Sequence, residues 1–174
     1  NHYIWVEKYR PDTLVNYLGN GSIKEKLERF ISDQDIPHLL FHSRKPGTGK
    51  TTIAKILANN IACDLLYINA SSQSGIDVMR NKITDFSSSM GFHKLKILIL
   101  DEADRMTTQE QMALRNTMET FSGHTRFILT CNYVDKIMEP VQSRCQVFNL
   151  NPPEKAVVAK HVADILDKEN IKYD

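Results

Sequence analysis

The chain has 174 residues, 41% hydrophobic and 25% charged, the composition of a folded domain rather than a disordered tail. Lys plus Arg number 22 against 21 Asp plus Glu, so the net charge of +1 excludes a strongly basic nucleic-acid coat and an acidic tail but not a local basic patch. No apolar run approaches the ~18 residues that span a bilayer, and residues 1–8 hold no apolar leader, so neither a membrane protein nor a secretory signal is expected.

The first residue is Asn, which suggests a trimmed start. From residue 22 onward, helical and strand patterns alternate. Ser22-Ile-Lys-Glu25 has the form of a capping box, and Ile23, Leu27, Phe30 and Ile31 follow at helical spacing. Residues 39–41 are a short apolar run ending in a turn. Residues 50–61 carry Ile53, Ile56, Leu57 and Ile61 on one helical face. A second run lies at 65–68, and 76–86 reads as a helix. Residues 97–100 are unbroken aliphatics, the pattern of a strand buried on both faces. Residues 108–121 form a helix that Thr108 and Gln111 are placed to cap. Further strands are expected at 127–131 and 145–150. About five strands with helices between them predict an α/β fold with a parallel sheet covered on both faces. Pro152-Pro153 breaks the chain, and the helix predicted over 154–168 begins a second domain.

The three cysteines, Cys63, Cys131 and Cys145, are too scattered for a disulfide framework and imply a reducing compartment. His38 and His42 share a strand face but lie about 13 Å apart by rise, too far to ligate one metal.

Pro46-Gly-Thr-Gly-Lys-Thr-Thr52 stands between a strand and a helix, where a phosphate loop belongs. Gly47 and Gly49 allow successive N–H groups to turn toward a β-phosphate. Lys50 is placed to reach the β- and γ-phosphates, and the Thr51 hydroxyl to ligate Mg²⁺. The usual pattern begins with a Gly at position 44, which is Arg here. Fifty residues after Thr51, a buried strand ends in Asp101-Glu102. Asp101 is placed to hold Mg²⁺ through its water shell, and Glu102 to orient the attacking water. Asp104 reads more simply as a solvated residue or helix cap. Asn132 ends another strand, where it either contacts the γ-phosphate or starts a turn. Arg144 precedes the last strand; it reads as a surface charge, or in an assembly as a finger reaching a neighbour's γ-phosphate.

Together Trp5-Val-Glu-Lys-Tyr-Arg-Pro11, the phosphate loop, Asp101-Glu-Ala-Asp104, Ala113-Leu-Arg-Asn-Thr-Met-Glu119, Thr130-Cys-Asn-Tyr133 and Gln142-Ser-Arg-Cys145 resemble the clamp-loader ATPases, the replication factor C small subunits and the T-even-type phage large subunits. The phosphate loop without its first Gly is more similar to the phage form. Asp-Glu-Ala-Asp also names a helicase family, but no Ser-Ala-Thr follows it.

The resemblance implies an AAA+ P-loop module with a five-stranded parallel sheet over 1–150 and the start of a helical lid at 151–174. It implies ATP and Mg²⁺ as cofactors, held by Pro46, Gly47, Thr48, Gly49, Lys50, Thr51, Thr52 and Asp101, with Val6, Tyr9, Arg10 and Pro11 wrapping the adenine. Glu102, Asn132 as sensor 1, and Arg144 acting in trans would be catalytic. Arg80, Asn81 and Lys82 would touch DNA phosphates or form a solvated helix face, and Arg115 would face a neighbouring subunit or solvent. Implied partners are the other subunits of a pentamer, a sliding clamp and primer–template DNA, in the cytoplasm of a phage-infected bacterium or in a nucleus. The implied function is to load the clamp onto DNA using ATP. Two alternatives stand beside it: another AAA+ DNA motor, such as a branch-migration helicase or an initiator-type ATPase, and a scaffold subunit that binds ATP without turnover.

Overall fold

In the computed structural model the described residues are 21–45, 49–72, 75–150 and 155–169. The elements run α1 (Gly21–Asp33), β1 (Leu39–His42), α2 (Lys50–Asn59), β2 (Cys63–Asn69), α3 (Ile76–Ser88), β3 (Leu95–Asp101), α4 (Thr108–Phe121), β4 (Thr125–Cys131), the single turn α5 (Glu139–Gln142), β5 (Gln146–Asn149) and α6 (Lys155–Lys168). Short 3₁₀ turns at Ala70–Ser72, Ala103–Arg105 and Val134–Lys136 follow β2, β3 and β4.

The five strands form one sheet in the order β2-β3-β4-β1-β5, and every neighbouring pair is parallel. The aliphatic run of β3 explains its central place. Ile97 and Ile99 pack into one core with Leu27, Phe41, Ile53 and Leu57 from α1, β1 and α2. Leu98 and Leu100 point the other way, to Met79, Ile83, Leu114 and Met118 on α3 and α4. All four strand residues are fully buried, as the unbroken run predicts. The helix after β1 therefore covers one face, and those after β2 and β3 cover the other. A sheet wound this way opens a crevice at the carboxyl ends of its strands.

Two helix starts differ from the sequence reading. Ser22 lies within α1, not before it. The N-cap of α4 is Thr107, whose hydroxyl accepts the Glu110 N–H at 3.2 Å and donates to the Glu110 carboxylate at 3.2 Å. The capping box thus sits one residue earlier than Thr108 and Gln111. Gln111 is released for another task. Buried at 4% exposure, it donates to the carbonyls of Met106 and Lys136 and accepts the Met138 N–H at 2.7 Å. It ties the start of α4 to the segment after β4. Gln111→Leu keeps the bulk but strands these backbone groups, so we expect a loss of about 2–3 kcal/mol. Thermal unfolding should read this as a melting point lower by roughly 5–10 °C; an unchanged melting point would mean that water or a side-chain shift replaces the bridge.

Candidate functional site

The carboxyl ends of β1, β3 and β4 bring together Lys50, Thr51, Asp101, Glu102 and Asn132. β1 ends at His42, and its continuation is tied to the sheet on both sides: Ser43 N–H donates to Cys131 O at 3.3 Å, and Leu150 N–H donates to His42 O at 2.9 Å. Ser43 is buried, and its hydroxyl accepts the Lys45 N–H at 3.3 Å, which turns the chain away from the strand. Arg44, the departure from the phosphate-loop pattern, is exposed in this bend. Gly49 stands at φ 86°, a left-handed conformation open to Gly, and opens α2 directly at Lys50. The N-terminal N–H groups and dipole of α2 thus face the crevice.

Lys50 donates to the Ser43 carbonyl at 3.4 Å. Burial holds its ammonium below the ordinary lysine range, while Asp101 and Asp104 pull the other way. Thr51 donates to Asp101 Oδ1 at 3.0 Å, so the two residues expected to share a cation already touch. Thr130 also donates to Oδ1, and the Tyr67 hydroxyl donates to Oδ2 at 2.6 Å. Burial pushes the Asp101 carboxyl up, but these hydrogen bonds prevail and hold it below its usual range. Partial burial and the hydrogen bond to Asp101 raise the Tyr67 phenol to about 12, so it stays a donor at neutral pH.

Glu102 is exposed and has φ 56°, unusual for a residue with a Cβ. Its N–H is held by Thr130 Oγ1 at 3.2 Å, so one threonine organises both acidic residues. Strain of this kind concentrates at functional sites. Asp104 is half-buried and accepts the N–H groups of Asn132 at 3.2 Å and Tyr133 at 3.0 Å. It anchors the turn carrying Asn132 beside the acidic strand end, a positioning role that the sequence reading as a solvated residue or helix cap missed. Thr52 is half-buried in the first turn of α2. Val6, Tyr9, Arg10, Pro11, Pro46, Gly47 and Thr48 lie outside the described residues.

Two expected site groups stand elsewhere. Arg144 lies just before β5, where Gln146 N–H donates to His38 O at the start of β1. It is therefore at the amino end of the sheet, with the ~13 Å rise of β1 between that edge and the crevice. There Arg144 pairs with Glu119, which Arg115 approaches to 3.8 Å, and donates to Pro140 O at 3.0 Å. It lines an open groove of about 700 Å³ with Phe30, Asp35, His38 and Arg126. Burial, followed by the charges of Arg126 and Arg144, lowers His38 to about 4, and its Nδ1 accepts the Phe127 N–H at 3.1 Å. Arg80, Asn81 and Lys82 are exposed on α3 between the buried Met79 and Ile83, and Arg80 lies 3.9 Å from Asp77. Consecutive on a helix, they fan across its outer arc rather than forming one stripe.

A family model described as "ATPase family associated with various cellular activities (AAA)" matches residues 40–152, the span that holds the five strands except Leu39 of β1. The chain belongs to the AAA ATPase family. Among curated relatives it is 47% identical to a replication factor C small subunit of Natronomonas pharaonis, over 97% of this chain and 54% of that protein. Proteins of the same name from Sulfurisphaera tokodaii and Archaeoglobus fulgidus are 46% and 45% identical over 98% and 99% of this chain. The chain spans about half the length of the curated relatives it matches. These sources are archaeal and lend no support to a phage-infected bacterial setting.

Among solved structures, the Thermotoga maritima RuvB Holliday junction branch migration motor superposes with a TM-score of 0.68 over 82% of this chain and 49% of that chain, at 20% identity. Its P216G mutant reaches 0.72 over 91% and 56%, at 19%. At such identity the likeness concerns the fold alone. Among the described residues, no helix is long and apolar enough to cross a membrane.

Proposed function

We propose that this AAA chain is the nucleotide domain of a sliding-clamp loader subunit, which uses ATP to load the clamp onto primer–template DNA. One observation carries the nucleotide chemistry: Thr51, at the start of α2, hydrogen-bonds Asp101, at the end of β3, at the mouth of a left-handed Gly49 turn. The relatives carry the assignment to clamp loading, because the sequence likeness to replication factor C small subunits spans nearly the whole chain. The branch-migration alternative has only fold likeness in its favour. Intact Lys50, Asp101 and Glu102 disfavour a scaffold without turnover.

The donor set fits Mg²⁺: one hydroxyl and one carboxylate, hard oxygen groups already in contact. When bound, Mg²⁺ supplies positive charge to the phosphate oxygens. Lys50 then exchanges the Ser43 carbonyl for a phosphate oxygen. Glu102 orients and polarises the attacking water, and Asn132, held by Asp104, is the polar group at the far side. Arg144 is at the wrong end of the sheet to serve its own nucleotide, which supports its action on a neighbouring subunit's. Arg80, Asn81 and Lys82 position DNA through its phosphates without reading sequence. Residues 151–174, with α6, begin the lid.

Steady-state ATP turnover of the full-length protein with its co-loader subunits tests this reading. Clamp and primer–template DNA together should stimulate turnover. Turnover indifferent to the clamp would point to another AAA motor, and binding without turnover to a scaffold.

A further inference from the structure

Asp101 is held by more than the phosphate-loop threonine. A carboxylate has about four lone-pair sites, two on each oxygen. Both sites on Oδ1 are taken, by the hydroxyls of Thr51 and Thr130. Oδ2 accepts the Tyr67 hydroxyl at 2.6 Å. The Glu102 N–H also hydrogen-bonds this carboxylate. Tyr67 lies on β2, the strand paired with β3, in register with Ile99 and two residues before the Asn69–Asp101 pair. The ring is 40% exposed, and Lys55 on α2 lays its ammonium over it at 4.9 Å from the centroid. A large aromatic residue so open to solvent is no part of the core, yet its hydroxyl donates to Asp101 and also meets the Asn69 side chain.

We propose that Tyr67, steadied by Lys55, is a positioning residue that sets the Mg²⁺ affinity of the nucleotide site by fixing the orientation in which Asp101 presents its carboxylate to the cation's water shell. This rests on the nucleotide-site reading above. Without the Tyr67 hydroxyl, Thr51 and Thr130 still hold Oδ1, but Oδ2 loses its hydroxyl donor and recruits water in its place. Partners of this kind behind a metal-binding group are commonly worth ten- to a hundredfold in metal affinity. The exposure of Tyr67 places the effect near the lower figure, because water partly replaces the lost donor.

The test is equilibrium binding of a fluorescent ADP to the full-length protein, which needs no turnover, measured in EDTA and across a Mg²⁺ titration. Tyr67→Phe keeps the ring and removes the hydroxyl. The expected result is a Mg²⁺ half-saturation raised roughly tenfold, with ADP affinity in EDTA and the melting temperature unchanged. A purely structural role would move the melting temperature and leave the Mg²⁺ midpoint in place. An unchanged midpoint overturns the proposal. Should Tyr67→Phe fail to fold, Lys55→Met decides: a smaller shift of the same sign supports the proposal, and no shift overturns it. If the unsubstituted protein shows no ADP binding that Lys50→Ala abolishes, the nucleotide-site reading itself has failed and takes this inference with it.

Discussion

Arg144→Ala is expected to lower ATP turnover of the assembled complex by about 10³–10⁵-fold, the range that arginine fingers supply. The isolated subunit should bind nucleotide as before. Both expectations come from the same geometry. Arg144 precedes β5 at the amino end of a parallel sheet, and Lys50, Thr51 and Asp101 gather at the carboxyl end. No side-chain rotation carries a guanidinium past a four-residue strand and around the sheet. Arg144 is nevertheless ready for a partner. Glu119 and the Pro140 carbonyl hold its head, and its side chain is 28% exposed beside an open groove. Arg144→Lys should not restore activity, because a point charge lacks the planar fork that grips phosphate oxygens. Mixing the Ala variant with Lys50→Ala subunits separates action in trans from action in cis. Partial recovery in the mixture is expected where an intact Arg144 faces an intact nucleotide site. If Arg144→Ala weakens nucleotide binding by the isolated subunit, the trans role is wrong.

Glu102→Gln should cost about 10²–10⁴-fold in the hydrolysis step, the contribution of a positioned acid–base group, with ATP binding retained. The amide keeps the shape and the hydrogen-bonding reach of the carboxylate but cannot polarise water by accepting its proton. Backbone geometry favours the role. Glu102 follows the last residue of β3, in a left-handed conformation with φ 56°, and Thr130 clamps its N–H. The side chain is exposed at the crevice, whereas the four aliphatics before Asp101 are sealed in the core. Single-turnover hydrolysis alongside equilibrium ATP binding distinguishes the outcomes. Lost binding together with lost hydrolysis would mean that Glu102 supports the loop instead of the chemistry.

Much of the fold was legible along the chain because its signals are local. Ile97 to Leu100 read as a doubly buried strand, since both faces of a central parallel strand meet helices. Gly49-Lys50-Thr51 read as a loop entering a helix, since a left-handed Gly and a helix start leave a local mark. The α4 cap was misplaced by one residue because Thr107 and Thr108 are equivalent as sequence, and only the burial of Gln111 chooses between them.

The partners of Asp101 were of another kind. Thr130 and Tyr67 lie 29 and 34 residues away and meet the carboxylate only because β4 and β2 flank β3. Nothing in the spacing of a Tyr on one strand and an Asp on another states the strand order. Asp104 looked like a solvated residue for the same reason, its partners being backbone N–H groups 28 and 29 residues on. The sequence by itself determined the element types and the family, carried by contiguous residues or fixed short spacings, and it marked Gly49, Lys50 and Thr51 as phosphate-loop candidates. Tertiary structure alone decided which hydroxyls surround Asp101, which end of the sheet holds Arg144, and what Gln111 bridges. Those depend on strand order and register, which follow from the packing of the whole core rather than from any one segment.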